Sequence, residues 1–136
     1  MNGEKYLFLI NKAREARERS YSPYSGFSVG AALLCADGTV YTGANIENSS
    51  FTPTVCAERV AFFSAVHDGH HDFTAIAITG GKKDEYPTKA CAPCGVCRQV
   101  MGEFCKGNFT IILDGGENAE VYTLDQLLPR RFDLGK

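Results

Sequence analysis

No apolar run in this 136-residue chain approaches the roughly 18 residues that a membrane-spanning helix requires. The apolar YLFLI at residues 6–10 is cut off at once by the charged NKAREARER. It also lacks the basic leading region and small-residue cleavage site of a secretory leader. The chain therefore reads as cytoplasmic. A massed basic segment is missing too. The 14 Lys and Arg are scattered among 16 Asp and Glu, for a net charge of −2, which argues against a nucleic-acid polymer as partner. Nor is there an internal repeat, a low-complexity tract or a linker-like shift of composition. One domain over residues 1–136 is expected, large enough to bury about 68–70% of its unfolded surface without disulfides.

What is present is clear punctuation. Leu7, Ile10, Ala13, Arg14 and Arg17 recur near helical spacing and predict an amphipathic helix over 4–19. SYSPYSGF (20–27) is loop. SVGAALLC and TVYTGANI flank Ala36-Asp37-Gly38 as a hairpin. After a second loop, ENSSFTPT, a helix is expected from about 55 to 67, stopped by Gly69. FTAIAITG (73–80) and FTIILD (109–114) read as buried strands. Between them lies a helix that Pro93 opens and that runs to about 104. A strand near 120–122 and a short helix capped by Thr123 and Gln126 end the pattern. Strand, helix and strand across 73–114 make a βαβ unit with right-handed crossover. The class is α/β with a mixed sheet of about five strands.

Six cysteines in a reducing compartment point to metal or chemistry before disulfides. Three of them crowd into CAPCGVCRQV (91–100). A ferredoxin run needs a fourth cysteine where Met101 stands. A closed structural zinc site needs a second cysteine pair or a coupled histidine pair, and His67, His70 and His71 do not supply one. A Cys94/Cys97 redox pair is compatible with the spacing but leaves the rest of the pattern unused. The remaining arrangement has three ligands and an open position. Cys94 and Cys97 stand at i and i+3 on one face of a helix start. Cys56 opens another helix, and Glu58 follows two residues later. Helix N-termini favour thiolates. Cys56-Ala57-Glu58 with Pro93-Cys94-x-x-Cys97 matches the zinc deaminase signature, in which a non-ligand Glu serves as general acid and base. Cys35 and Cys105 read as small buried hydrophobes, Cys91 as a loop residue, and the three histidines as exposed imidazoles past a helix end.

YSPYSGFSVGAAL, TGANIEN, CAER, PCGVCRQV and LLPRRF together resemble the small homotetrameric zinc-dependent cytidine deaminases, over nearly the whole chain. The resemblance implies a three-layer α/β fold, a five-stranded mixed sheet with helices on both faces. It implies hydrolysis of cytidine and deoxycytidine to the uridines and ammonia in pyrimidine salvage, and a homo-oligomer, the tetramer. It assigns Cys56, Cys94 and Cys97 to one Zn²⁺ per chain and makes Glu58 the proton shuttle. Phe27 would stack on the pyrimidine, Ala57 would offer its backbone to the base, and Asn45 and Glu47 would bind the ribose hydroxyls. Arg59 would donate to the ligand thiolates. Phe51, where many relatives carry tyrosine, and Phe132 would complete a pocket across a subunit interface.

The residues support those roles on chemical grounds. Three thiolates leave the metal net negative, and Arg59 with two helix dipoles would withdraw that charge. Water activated by zinc would attack C4 of cytosine while Glu58 moves one proton from it to the ring N3, and the same carboxyl would later help the amine leave as ammonia. One group acting as base and acid needs a pKa near working pH, hence a desolvated carboxyl. Glu47 would repel a phosphate, which favours a free nucleoside over a nucleotide. The alternative is a related aminohydrolase resembling blasticidin S deaminase. Asn45 and Glu47 could also simply satisfy their own loop.

Overall fold

The computed structural model describes residues 3–135, so residues 1, 2 and 136 of the expected domain lie outside the described residues. A 3₁₀ turn (Gly3–Tyr6) leads into α1 (Leu7–Arg17). The hairpin β1 (Phe27–Cys35) and β2 (Val40–Ala44) follows, then α2 (Ala57–His67) and β3 (Phe73–Lys82). The chain continues with α3 (Gly95–Phe104), β4 (Thr110–Asp114), β5 (Ala119–Thr123) and the single turn α4 (Leu124–Leu127). The sheet runs β2-β1-β3-β4-β5. Only β3 and β4 pair in parallel; the other three pairings are antiparallel. This is the mixed α/β sheet expected, with the βαβ unit where the sequence placed it.

Several boundaries differ from expectation: the first helix ends at Arg17 and the second begins at Ala57. The first helix opens as a 3₁₀ turn and becomes α-helical only at Leu7. β3 runs two residues further, because Gly81 and Lys82 still pair with Ser28 and Phe27. The third helix starts at Gly95 rather than at Pro93, with extended Cys94 (φ −70°, ψ 169°) as its N-cap. The Pro93 carbonyl turns outward to accept from Arg98 Nε at 2.7 Å instead.

Alternation along the strands sends side chains to two separate cores, as the two-residue period requires. Ala31, Leu33, Ile76, Ile78, Ile111 and Leu113 face α2 and α3 and meet Phe62 and Met101. Ala32, Ala75, Ala77 and Ile112 face α1 and meet Leu9, Ile10 and Ala13. Helices therefore cover both faces. The crossover of α3 and the return of α2 put these two helices on the same face, which is what brings their N-termini together.

Two devices set how closely the layers approach. A Cβ on Gly43 would stand 2.4 Å from the Ala57 carbonyl oxygen and 2.7 Å from the Ala61 nitrogen, so β2 can touch the first turn of α2 only without a side chain there. On the other face, Asp114 at the end of β4 is buried and receives Arg14 Nε at 2.7 Å and Nη2 at 2.8 Å, with Thr79 Oγ1 at 2.9 Å. Arg17, also buried, donates to the carbonyls of Ser28, Lys82 and Glu85 at 3.0, 2.6 and 2.8 Å, fastening the segment after β3 to α1. Among the described residues no helix is long and apolar enough to cross a membrane.

Candidate metal and catalytic site

Cys56 and Cys94 are both helix N-caps in extended conformation, the first for α2 and the second for α3. An N-cap side chain ordinarily accepts a backbone N–H from the first turn, but neither sulfur does. Their backbone carbonyls receive the first helical bonds, from Arg59, Val60 and Arg98, and the sulfurs are left free. Cys97, one turn into α3, is buried. The position of Cys56 is fixed from the strand side by the paired bridge between Ile46 and Val55, with both N–H···O bonds at 3.0 Å.

The three sulfurs lie within 4.8 Å of one another. Cys56 to Cys94 is 3.9 Å and Cys94 to Cys97 is 3.7 Å. Two sulfurs bound tetrahedrally to zinc at about 2.3 Å stand about 3.8 Å apart. The donor set therefore fits zinc in both chemistry and spacing, with a fourth position left for a ligand from outside the chain. All six cysteines are free thiols.

Charge around the cluster is arranged to match. Arg59 Nη2 donates to Cys56 Sγ at 3.5 Å, and its buried Nε has no hydrogen-bond partner. A hydrogen bond from Cys97, followed by those from Arg59 and Cys94, brings the Cys56 thiol down to about 5. Cys97, which supplies that hydrogen bond from a buried position, is raised. Arg59 is itself raised by the same sulfurs.

Glu58 follows Cys56 in the first turn of α2 and is 4% exposed. Burial pushes its carboxyl up to about 7, and the charge on Cys56 adds to the effect. Ala57 between them is fully buried. The thiol of Cys91, pushed up to about 11 by burial, also feels the charges of Glu58 and Cys56. A Cβ on Gly80 would lie 2.8 Å from Cys91 Sγ and 3.2 Å from the ring of Phe27. Phe27 and Cys91 therefore both stand against Gly80. Cys91 lies in the loop before α3, as expected.

Asn45 and Glu47 organise the loop that carries Phe27. Asn45 Oδ1 accepts from Val29 N at 2.9 Å and from the Ser20 hydroxyl, while its Nδ2 donates to the Phe27 carbonyl at 2.9 Å. Glu47 Oε1 accepts from the backbone of Tyr24 and Ser25 at 2.9 and 3.1 Å, and Oε2 accepts from the Ser25 hydroxyl. Those bonds hold the Glu47 carboxyl below its ordinary value, the Ser25 hydroxyl foremost. Phe51 and Phe132 are not brought to the cluster within the chain. They are 91% and 69% exposed. Sequence reasoning missed Arg98, which ties the carbonyl beside Cys94 to the Leu127 carbonyl of α4 at 2.6 Å. Its signal lay in CRQV, one residue past a ligand candidate.

Three sulfur donors at paired helix N-termini, with one desolvated carboxyl beside them, define a metal site built for hydrolytic chemistry on an α/β scaffold. Residues 4–113 match the model of the cytidine and deoxycytidylate deaminase zinc-binding region, and the chain belongs to that family. It is 49% identical over 125 residues to a cytidine deaminase of Sporosarcina psychrophila, covering 91% of this chain and 88% of that one. The cytidine deaminase of Halalkalibacterium halodurans is 48% identical, with 91% of each chain covered. The crystal structure of cytidine deaminase from Burkholderia pseudomallei superposes with a TM-score of 0.83 at 42% identity, covering 97% of this chain and all of that one. A blasticidin-S deaminase of Bacillus cereus is more distant, at 32% over 107 residues.

Proposed function

We propose that the protein hydrolyses the exocyclic amine of cytidine and 2′-deoxycytidine, releasing uridine or 2′-deoxyuridine and ammonia. The observation that carries this reading is Glu58, 4% exposed and two residues from Cys56 in a cluster of three sulfurs. Cys56, Cys94 and Cys97 hold the metal. Zinc, when bound there, supplies Lewis acidity toward a water at its open position. Glu58 would take a proton from the attacking water and give it to the ring N3 as the C4–O bond forms, then take the second proton from the new C4 hydroxyl and hand it to the amine as the C4–N bond breaks. Its burial suits it to both duties, because a carboxyl with raised pKa accepts and releases protons near neutrality. Arg59 draws charge from the sulfurs. Phe27 offers a ring face to the pyrimidine, and Ala57 lends its backbone to the base.

Asn45 and Glu47 hold the Phe27 loop and face the ribose with their remaining hydrogen-bonding capacity. A carboxylate there accepts from hydroxyls and repels phosphate, so the substrate is a free nucleoside. The chain works as a homo-oligomer, the tetramer, in which Phe51 and Phe132 of neighbouring subunits close the pocket. Their exposure supports this. Six free thiols support a reducing, cytoplasmic setting.

The test is ammonia release from cytidine by the purified protein, with zinc counted on the same sample. Turnover with about one zinc per three-sulfur centre is expected. Zinc without turnover on cytidine or deoxycytidine, but with turnover on blasticidin S, would move the assignment to that activity. Metal-free reduced protein that still turns over would overturn the reading.

A further inference from the structure

A second group of metal donors gathers at the opposite end of α2. The 11 residues of that helix span about 16 Å, so this group is distinct from the three-sulfur cluster. The helix ends in a Schellman turn: Gly69 has φ 93°, its N–H reaches the Val66 carbonyl at 3.0 Å, and the His70 N–H reaches Ala65 at 2.9 Å. That reversal sends His70 toward the β1–β2 hairpin. The hairpin is closed by Cys35 N to Thr39 O at 2.8 Å. Asp37 Oδ1 accepts from Thr39 N at 2.9 Å, which leaves Oδ2 directed at the histidine. Cys35 Sγ, an Asp37 oxygen and a His70 ring nitrogen all lie within 4.8 Å of one another. Cys35 is 2% exposed.

The hydrogen bonds around His70 decide what this group needs. Tyr41 donates its only hydroxyl proton to Asp68. The same oxygen lies 3.1 Å from His70 Nδ1 and can only accept there, so the network assigns the ring hydrogen to Nδ1. Nε2 of the neutral ring is then a bare lone pair, 3.2 Å from the carboxylate oxygen of Asp37. Two acceptors facing each other require a cation, either a proton on Nε2 or a metal ion. A nitrogen and an oxygen bound tetrahedrally at about 2.1 Å stand about 3.4 Å apart, close to what is seen. A hydrogen bond that orients the distal nitrogen of a ligating histidine is the usual support of a metal site. The nearby thiol selects a borderline-soft ion over magnesium or calcium.

We propose that Cys35, Asp37 and His70 form a second divalent transition-metal site, best matched to Zn²⁺, that clamps the β1–β2 hairpin to the end of α2. Binding displaces the Cys35 thiol proton to solvent, and a solvent molecule fills the remaining position. The site lies at the far end of α2 from the catalytic carboxyl, so it acts on stability and not on the reaction.

The experiment counts zinc by mass spectrometry after equilibrating the loaded protein with buffered micromolar free zinc. Wild type should carry two zinc ions per chain. Asp37→Asn and His70→Gln should each carry one, with ammonia release from cytidine unchanged as the check on folding. Added zinc should raise the melting temperature of wild type more than that of either variant, since each variant keeps only the three-sulfur site. One zinc in wild type would overturn the proposal and leave an imidazolium–Asp37 ion pair. A second zinc that persists in both variants would place that ion elsewhere and overturn it equally. The wild-type count decides even if one variant misfolds.

Discussion

Glu58 holds a carboxyl where water has been removed, beside sulfur atoms that carry negative charge, and no ordinary surface acid could rest there. Removing its proton-transfer capacity while keeping its shape isolates its role. Glu58→Gln should lower turnover by about a hundred- to ten-thousand-fold, the usual contribution of general acid–base catalysis. Zinc content should stay at the wild-type level, because the side chain is not among the three sulfur donors. Loss of zinc in that variant would show that Glu58 is a ligand. Arg59 acts one step further out. Its Nη2 lies 3.5 Å from Cys56 Sγ, and an outer partner of this kind typically contributes about 10–100-fold in metal affinity. Arg59→Gln should therefore release zinc to a chelator at correspondingly lower concentrations, read with a competing metal indicator. An unchanged competition curve would remove Arg59 from the site.

At the scale of elements, the sequence revealed the site better than it revealed the site's walls. Hydrophobic periodicity and the hairpin and βαβ signals were enough for the sheet, and the two cysteine motifs marked the starts of α2 and α3. Local spacing cannot show that Arg17 fastens the segment after β3, or that Cys91 and Phe27 both stand against Gly80, because these contacts join separate elements and loops. His70 looked like a free imidazole for the same reason: its partners Asp37 and Tyr41 sit on the hairpin. Gly43 illustrates what was hidden. A methyl there would collide with the Ala57 carbonyl at 2.4 Å, so Gly43→Ala should cost about 1–3 kcal/mol and also weaken zinc retention by displacing the first turn of α2. Urea denaturation and a metal count check both halves. Destabilisation with full zinc retention would show that α2 moves as a rigid piece.

The Arg14–Asp114 pair belongs to the same scale, since it joins α1 to β4. Burial alone would raise the Asp114 carboxyl, but Arg14, the Gly116 N–H and Thr79 together hold it below its ordinary value. A depressed folded pKa means that stability is fully present above the unfolded value of about 3.9 and is lost as pH falls through the folded value. Asp114→Asn should destabilise the protein by about 3 kcal/mol near neutrality, the lower end for a broken buried pair because Arg14 stays partly exposed. The gap to wild type should narrow as the medium is acidified below the unfolded value. A gap of constant width in denaturation midpoints would mean that Asp114 contributes by packing and not by charge.

The whole molecule leaves large apolar side chains uncovered on its loops and tail. Phe51 and Phe132 are mostly exposed, as are Tyr24 and Leu134. None of these side chains can be buried by the short segments that carry them. Large exposed apolar groups on loops and tails mark association surfaces more often than chance. If neighbouring subunits close the pocket, catalytic power must depend on assembly as well as on the three-sulfur centre. Sedimentation should then find a tetramer at working concentrations, and specific activity should fall on dilution through the dissociation range. Phe132→Ala should shift that range to higher protein concentration and raise KM for cytidine, while leaving the zinc count per chain unchanged. Phe51→Ala should act in the same direction. A monomer with full specific activity would detach both phenylalanines from the site, yet it would leave Cys56, Glu58, Cys94 and Cys97 in place, because their geometry is complete within one chain.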